Sequence, residues 1–171
     1  MAEDTAPELA ADRYVANNAR YAETFSGDLP LVPSGRVAVV ACMDARLDIH
    51  ALLGLEPGEA HVIRNAGGVV TDDVLRSLAI SQRLLGTREV VLVHHTNCGM
   101  LTFTDAEFRD AIAAEVGQRP EWDCRTFTDL DEDVRDSIAR VAASPFLPHR
   151  DAVRGFVFDI ATGRLTEVPA A

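Results

Sequence analysis

Positive charge is scarce in this chain. Its 171 residues carry 16 arginines and no lysine against 27 aspartates and glutamates, so the net charge is -11. Such a balance repels polyanions and argues against nucleic acid or an anionic membrane surface as a partner. Cysteine is scarce as well. Cys42, Cys98 and Cys124 are too few, and odd in number, for a disulfide framework. No apolar run approaches the roughly 18 residues that cross a bilayer. The opening Met1-Ala2-Glu3-Asp4 lacks the basic and apolar regions of a secretory signal. A cytoplasmic protein is therefore expected, and in a reducing compartment metal binding accounts for at least two of the cysteines better than cross-linking does. Neither Gly-x-Gly-x-x-Gly nor Gly-Lys-Ser/Thr occurs, which disfavours a generic nucleotide binder. The remaining composition, 47% hydrophobic and 25% charged, suits one globular domain spanning 1–171.

Strand and helix signals alternate along the chain. A helix is expected over 6–26, with Leu9, Tyr14, Tyr21 and Phe25 as anchors, followed by a loop holding Pro30, Pro33 and Gly35; residues 1–35 form an N-terminal arm. Val37 to Ala41 is a continuous apolar run, the mark of a strand covered on both faces. A short helix over 48–53 and a strand over 61–64 follow. Thr71 predicts a helix N-cap, with Asp72 and Asp73 in the first turn, an apolar stripe through Val74, Leu75, Leu78, Ala79 and Leu85, and Gly86 at the end. Val90 to Val93 is a third strand. Thr104 and Glu107 have capping-box spacing for a helix ending near Gly117. Leu130, Val134, Ile138 and Val141 predict another helix, stopped by Pro145 and Pro148. Gly155 to Ile160 and Arg164 to Val168 flank Thr162-Gly163 as a hairpin. This order predicts an α/β fold: a mostly parallel central sheet with an antiparallel edge strand and flanking helices.

Two short runs concentrate the chemistry, and each leaves the carboxyl end of a strand, where open α/β sheets build their sites. Cys42-Met43-Asp44-Ala45-Arg46 follows the first strand; His95-Thr96-Asn97-Cys98 follows the third. Two thiolates and one imidazole suit zinc, and three protein ligands leave one position open, as in catalytic zinc sites. Residues two apart in an extended stretch point to one side, so Asp44 and Arg46 can face the same point as Cys42. Arg46 would hold the Asp44 carboxylate bidentately. Asp44 would then accept a hydrogen bond from zinc-bound hydroxide, or swing onto the metal as fourth ligand and close the site.

Blander readings compete. Cys42 alone is a small buried hydrophobe, His95-x-x-Cys98 alone a coincidence, and Asp44–Arg46 alone a surface ion pair. Cys124 could complete a closed structural Cys3His set, but it sits in a polar stretch and reads as a spare thiol. The stretch Arg64-Asn65-Ala66-Gly67-Gly68 precedes a helix as a phosphate loop would, yet Asp72 and Asp73 would repel phosphate there. Glycines letting the backbone pass close to the site are the simpler reading. His94 should face away from His95 as a hydrogen-bonded structural residue, and His50, His61 and His149 carry no motif.

These residues resemble the β-class carbonic anhydrases, in the short actinobacterial-type branch. The resemblance rests on Cys42-x-Asp44-x-Arg46, on Arg64-Asn65-Ala66-Gly67 and on His95-x-x-Cys98-Gly99, and it runs over essentially the whole chain. It implies zinc on Cys42, His95 and Cys98, with Asp44 and Arg46 as a catalytic dyad. It implies reversible hydration of carbon dioxide to bicarbonate and a proton by attack of zinc-bound hydroxide. A homodimer or homotetramer is also implied, with the N-terminal helix on the partner and the active site near the interface. Longer members carry a substrate-contacting glutamine ahead of the first strand; here the only glutamines are Gln82 and Gln118. Two rival functions remain: a carbonyl sulfide or carbon disulfide hydrolase using the same zinc site, and a catalytically silent zinc-binding regulatory module with Asp44 held on the metal.

Overall fold

In the computed structural model, which describes residues 9–170, the apolar run of the first motif becomes β1 (Val37–Cys42) at the interior of a five-stranded sheet. The other strands are β2 (Ala60–Asn65), β3 (Glu89–His95), β4 (Val153–Asp159) and β5 (Arg164–Val168), in the order β2-β1-β3-β4-β5. All neighbouring pairs are parallel except β4 with β5, the antiparallel edge. The helices are α1 (Ala10–Ala22), α2 (Ile49–Leu53), α3 (Asp72–Arg83), α4 (Asp105–Val116) and α5 (Leu130–Ala143).

Alternation along the strands divides the core in two. Ala38 and Val40 of β1 and Val90 and Leu92 of β3 face Val74 and Leu78 of α3 and Val134, Ile138 and Val141 of α5. Val39, Ala41 and Val93 face the opposite layer, with Leu47, Ile49, Val69 and Phe127. Both faces are covered, which explains why β1 reads as unbroken hydrophobicity rather than as an alternating strand.

Local capping follows the sequence closely. Thr71 accepts from the Val74 N–H to start α3, and Thr104 with Glu107 forms the full capping box of α4, which Gly117 ends in the left-handed conformation. Several boundaries differ; β4, for one, spans Val153–Asp159 rather than 155–160. α3 stops at Arg83, ahead of Gly86. The first helix spans only Ala10–Ala22 rather than 6–26, and residues 6–8 of that expectation lie outside the described residues. None of its residues is buried, and Leu9, Tyr14, Tyr21 and Phe25 are all exposed, so the expected anchors are not seated in the core of the described residues.

β4 takes α5 directly onto its backbone at Gly155. A Cβ there would lie 2.3 Å from Val134 Cγ1 and 2.9 Å from Ile138 Cδ1. Gly155→Ala is therefore expected to destabilise the protein by about 1–3 kcal/mol through overpacking, read as a lowered urea midpoint. An unchanged midpoint would mean that α5 does not seat on this strand.

Candidate metal centre

β1 and β3 are adjacent and parallel, with Ala41 opposite Val93, so their carboxyl ends emerge side by side. Cys42 is the last residue of β1 and His95 the last of β3. Past His95 the chain turns through Asn97, at φ 54°, and delivers Cys98 into a 3-10 turn at Gly99–Leu101. The Cys42 and Cys98 sulfurs and a His95 ring nitrogen all lie within 4.8 Å of one another, and all three residues are buried.

The donor set fits a tetrahedral divalent metal. The sulfurs are 4.0 Å apart, far beyond the roughly 2.0 Å of a disulfide. Two thiolates on one tetrahedral zinc would stand about 3.8 Å apart. His95 Nδ1 is 2.9 Å from the Thr96 carbonyl, to which it donates. Its Nε2 is thereby left with the lone pair, buried and without a hydrogen-bond partner. The hydrogen bond shared with Cys98 pulls Cys42 well below the usual thiol range against the opposing effect of burial, and His95 and the Asp44 and Gly67 N–H groups add to the lowering. The same hydrogen bond, then burial, holds Cys98 up. Burial works against charge on His95, but Cys42, the Thr96 carbonyl and Asp44 outweigh it and raise its pKa.

Asp44 and Arg46 stand at the rim. Arg46 donates from Nε to Oδ1 at 2.9 Å and from Nη2 to Oδ2 at 2.7 Å, and Nη2 also reaches the Asn97 carbonyl at 3.0 Å. This fork, with the Arg46 backbone N–H, holds the Asp44 carboxyl well below the ordinary carboxylate range. Asp44 Oδ2 lies 3.7 Å from His95 Nε2. The pair bridges both motifs and differs in that respect from a solitary surface ion pair.

The route by which Arg46 arrives differs from the extended stretch expected. The chain turns after Asp44: the Leu47 N–H donates to the Asp44 carbonyl at 3.1 Å, and the Arg46 N–H donates to Asp44 Oδ1 at 2.9 Å. The side chains meet through an Asx-type turn rather than strand alternation. Arg64 makes contacts that its place in the sequence does not announce. Its Nε donates to the Cys42 carbonyl at 2.9 Å and its Nη2 to the Asp44 carbonyl at 2.7 Å. The adjacent Arg64-Asn65 pair at the end of a predicted strand was the available signal. Gly68, at φ 75°, lies against both strand ends, where a Cβ would come within 2.7 Å of the Cys42 nitrogen. That is the close backbone passage expected of this glycine pair.

His94 points to the other face, as expected, where Nε2 pairs with Asp133 of α5 at 2.7 Å. His61 bonds Ser81 at 2.7 Å. Cys124 lies outside the three-donor group. It lines a cavity of about 580 Å³ that opens onto Cys42, Asp44 and Cys98 and is walled by Met100, Phe103, Phe108 and Trp122. No glutamine lines it; Gln82 instead clasps the His149 backbone.

One equivalent of a divalent metal per chain is expected, retained in Cys124→Ser and weakened in Cys42→Ser, Cys98→Ser or His95→Ala. Metal content after dialysis checks this, and loss of the metal from Cys124→Ser would restore the closed structural site.

Comparison with known proteins converges on one family. A family model described as carbonic anhydrase matches residues 37–122. The chain is 61% identical to beta-carbonic anhydrase 1 of Mycobacterium tuberculosis over 157 residues, covering 92% of this chain and 96% of that protein. A carbonic anhydrase structure from Streptococcus mutans superposes with a TM-score of 0.89 at 44% identity, covering 95% of this chain and 99% of the other. A carbon disulfide hydrolase of Acidithiobacillus thiooxidans is more distant, 30% identical over 151 residues, with 76% of this chain and 75% of that protein covered.

Proposed function

The chain belongs to the β-class carbonic anhydrase family, and on that premise we propose that it catalyses the reversible hydration of carbon dioxide to bicarbonate and a proton, with zinc held by Cys42, His95 and Cys98. The observation that carries this reading is the convergence of two motifs on one point. Three donors lie within 4.8 Å, and a carboxylate anchored by its own arginine stands 3.7 Å from the ligand imidazole. When bound, zinc supplies Lewis acidity that brings the pKa of a coordinated water toward about 7 with three neutral histidines, and higher with two thiolates.

The chain's own residues do the rest. Asp44, kept ionised by Arg46, can only accept hydrogen bonds. It accepts one from the reacting water and turns that oxygen's lone pair toward the substrate carbon. Because Arg46 occupies both carboxylate oxygens, this arrangement keeps Asp44 from becoming a fourth ligand. Release from Arg46 would permit the closed state, and a carboxylate held there permanently would make the protein a silent regulatory module. Met100, Phe103, Phe108 and Trp122 give the approach to the site an apolar wall, suited to an uncharged linear substrate. The same wall would admit carbonyl sulfide or carbon disulfide, and that activity is the second reading.

The thiol ligands need a reducing compartment, which supports a cytoplasmic protein. Among the described residues no helix is long and apolar enough to cross a membrane. The exposed Tyr14, Val15 and Tyr21 of α1 support association with a second copy, as a homodimer or homotetramer. We take residues 1–171 as one domain, with 1–35 as its arm.

Zinc content and carbon dioxide hydration, followed from about pH 6.5 to about 9, test the proposal. Activity should rise through the mildly alkaline range; a flat profile would count against it. Asp44→Ala should keep zinc and lose roughly 100-fold or more in turnover, and full activity in that variant would remove the dyad from the mechanism. Parallel assays on one preparation should show carbon dioxide hydration well above hydrolysis of carbonyl sulfide or carbon disulfide. The reverse order would establish the second reading.

A further inference from the structure

The Asp44 carboxylate is held at two ends. Its oxygens rest on Arg46, a side chain 47% exposed, and an ion pair so open to water is weak by itself. The Asp44 backbone lies past the end of β1, where the sheet gives it no regular ladder. Its support comes from the neighbouring strand. The Met43 N–H donates to the Asn65 carbonyl at 2.8 Å. Arg64 then spans the chain, with Nε on the Cys42 carbonyl and Nη2 on the Asp44 carbonyl. The Asp44 carbonyl also takes the Leu47 N–H, so one oxygen anchors both the extended approach to Asp44 and the turn that brings Arg46 back onto it.

We propose that Arg64 is a positioning residue: by clamping the carbonyls on either side of Met43, it keeps the Asp44 carboxylate on Arg46 and out of the fourth metal position. Arg64 does not line the cavity; it touches only the backbone carbonyls of Cys42 and Asp44 and so acts through the chain that carries them. A planar guanidinium can serve two carbonyls at once; a lysine ammonium is a point charge on a flexible stem and matches this geometry poorly. The assignment rests on the metal site proposed above.

Arg64→Met and Arg64→Lys, each loaded with zinc, test it beside the wild type and Asp44→Ala. Both variants should retain one zinc per chain and an unchanged circular dichroism spectrum. Turnover should fall roughly 10- to 100-fold in Arg64→Met, the scale of a misplaced reacting group, and less in Arg64→Lys. In an Asp44→Ala background, Arg64→Met should cost nothing further, since groups acting as a unit are not additive.

Cobalt-substituted protein gives a readout independent of turnover. Azide should change the visible absorption of the wild type. It should fail to do so in Arg64→Met, where Asp44 has taken the open position, and should do so again in Arg64→Met/Asp44→Ala. Wild-type turnover in Arg64→Met, multiplicative losses in the double variant, an undiminished azide response, or loss of zinc or fold in both Arg64 variants would each overturn the assignment. The azide measurement needs no carbon dioxide. A wild type that binds metal and responds to azide but does not turn over would therefore defeat the activity reading alone.

Discussion

The in-register parallel pairing of β1 and β3 is the constraint on which the site depends. Cys42 and the His95–Cys98 run are separated by more than fifty residues of chain, and neither half can grip a metal by itself. The pairing of Ala41 with Val93 brings the two carboxyl ends level. A one-residue slip would send every side chain beyond it to the opposite face. Burial fixes this register: Val40 and Leu92 are sealed in one layer, Val39 and Val93 in the other. The three-donor group thus inherits its geometry from hydrophobic packing on both faces of the sheet.

Polar contacts then complete what packing begins. His94 and His95 are neighbours on one strand with opposite tasks. His94 is tied to Asp133 of α5, while His95 donates to the Thr96 carbonyl and presents its free nitrogen to the thiols. The tie to α5 fixes the end of β3 from behind. On the first motif, Arg46 grips the Asp44 side chain and the Asn97 carbonyl together, so the pair also links the two turns that carry the candidate ligands.

The apolar wall over the site is held by a separate polar arrangement. Arg109 of α4 donates to the Pro120 carbonyl at 2.8 Å and to Asp123 at 2.8 Å, while Asp105 accepts from the Cys124 N–H at 2.5 Å. These contacts fasten the segment bearing Trp122 and Cys124 to α4. The wall belongs to the chain's own fold.

Much of this was legible in the residues themselves. The donor set at Cys42, His95 and Cys98, the strands before it, the caps at Thr71 and Thr104 and the opposed facing of His94 are local matters. They are written in residue type, spacing and period, and the chain obeys them. What the tertiary structure decided is of another kind: that β1 lies beside β3, that the backbone turns at Asp44 rather than continuing extended, and that Arg64 reaches across from β2. The position of Cys124 is likewise a matter of its place outside the three-donor group, and each of these features depends on contacts between residues distant along the chain. Such contacts are set by how the layers pack and where unpaired carbonyls find donors, and no local pattern encodes either.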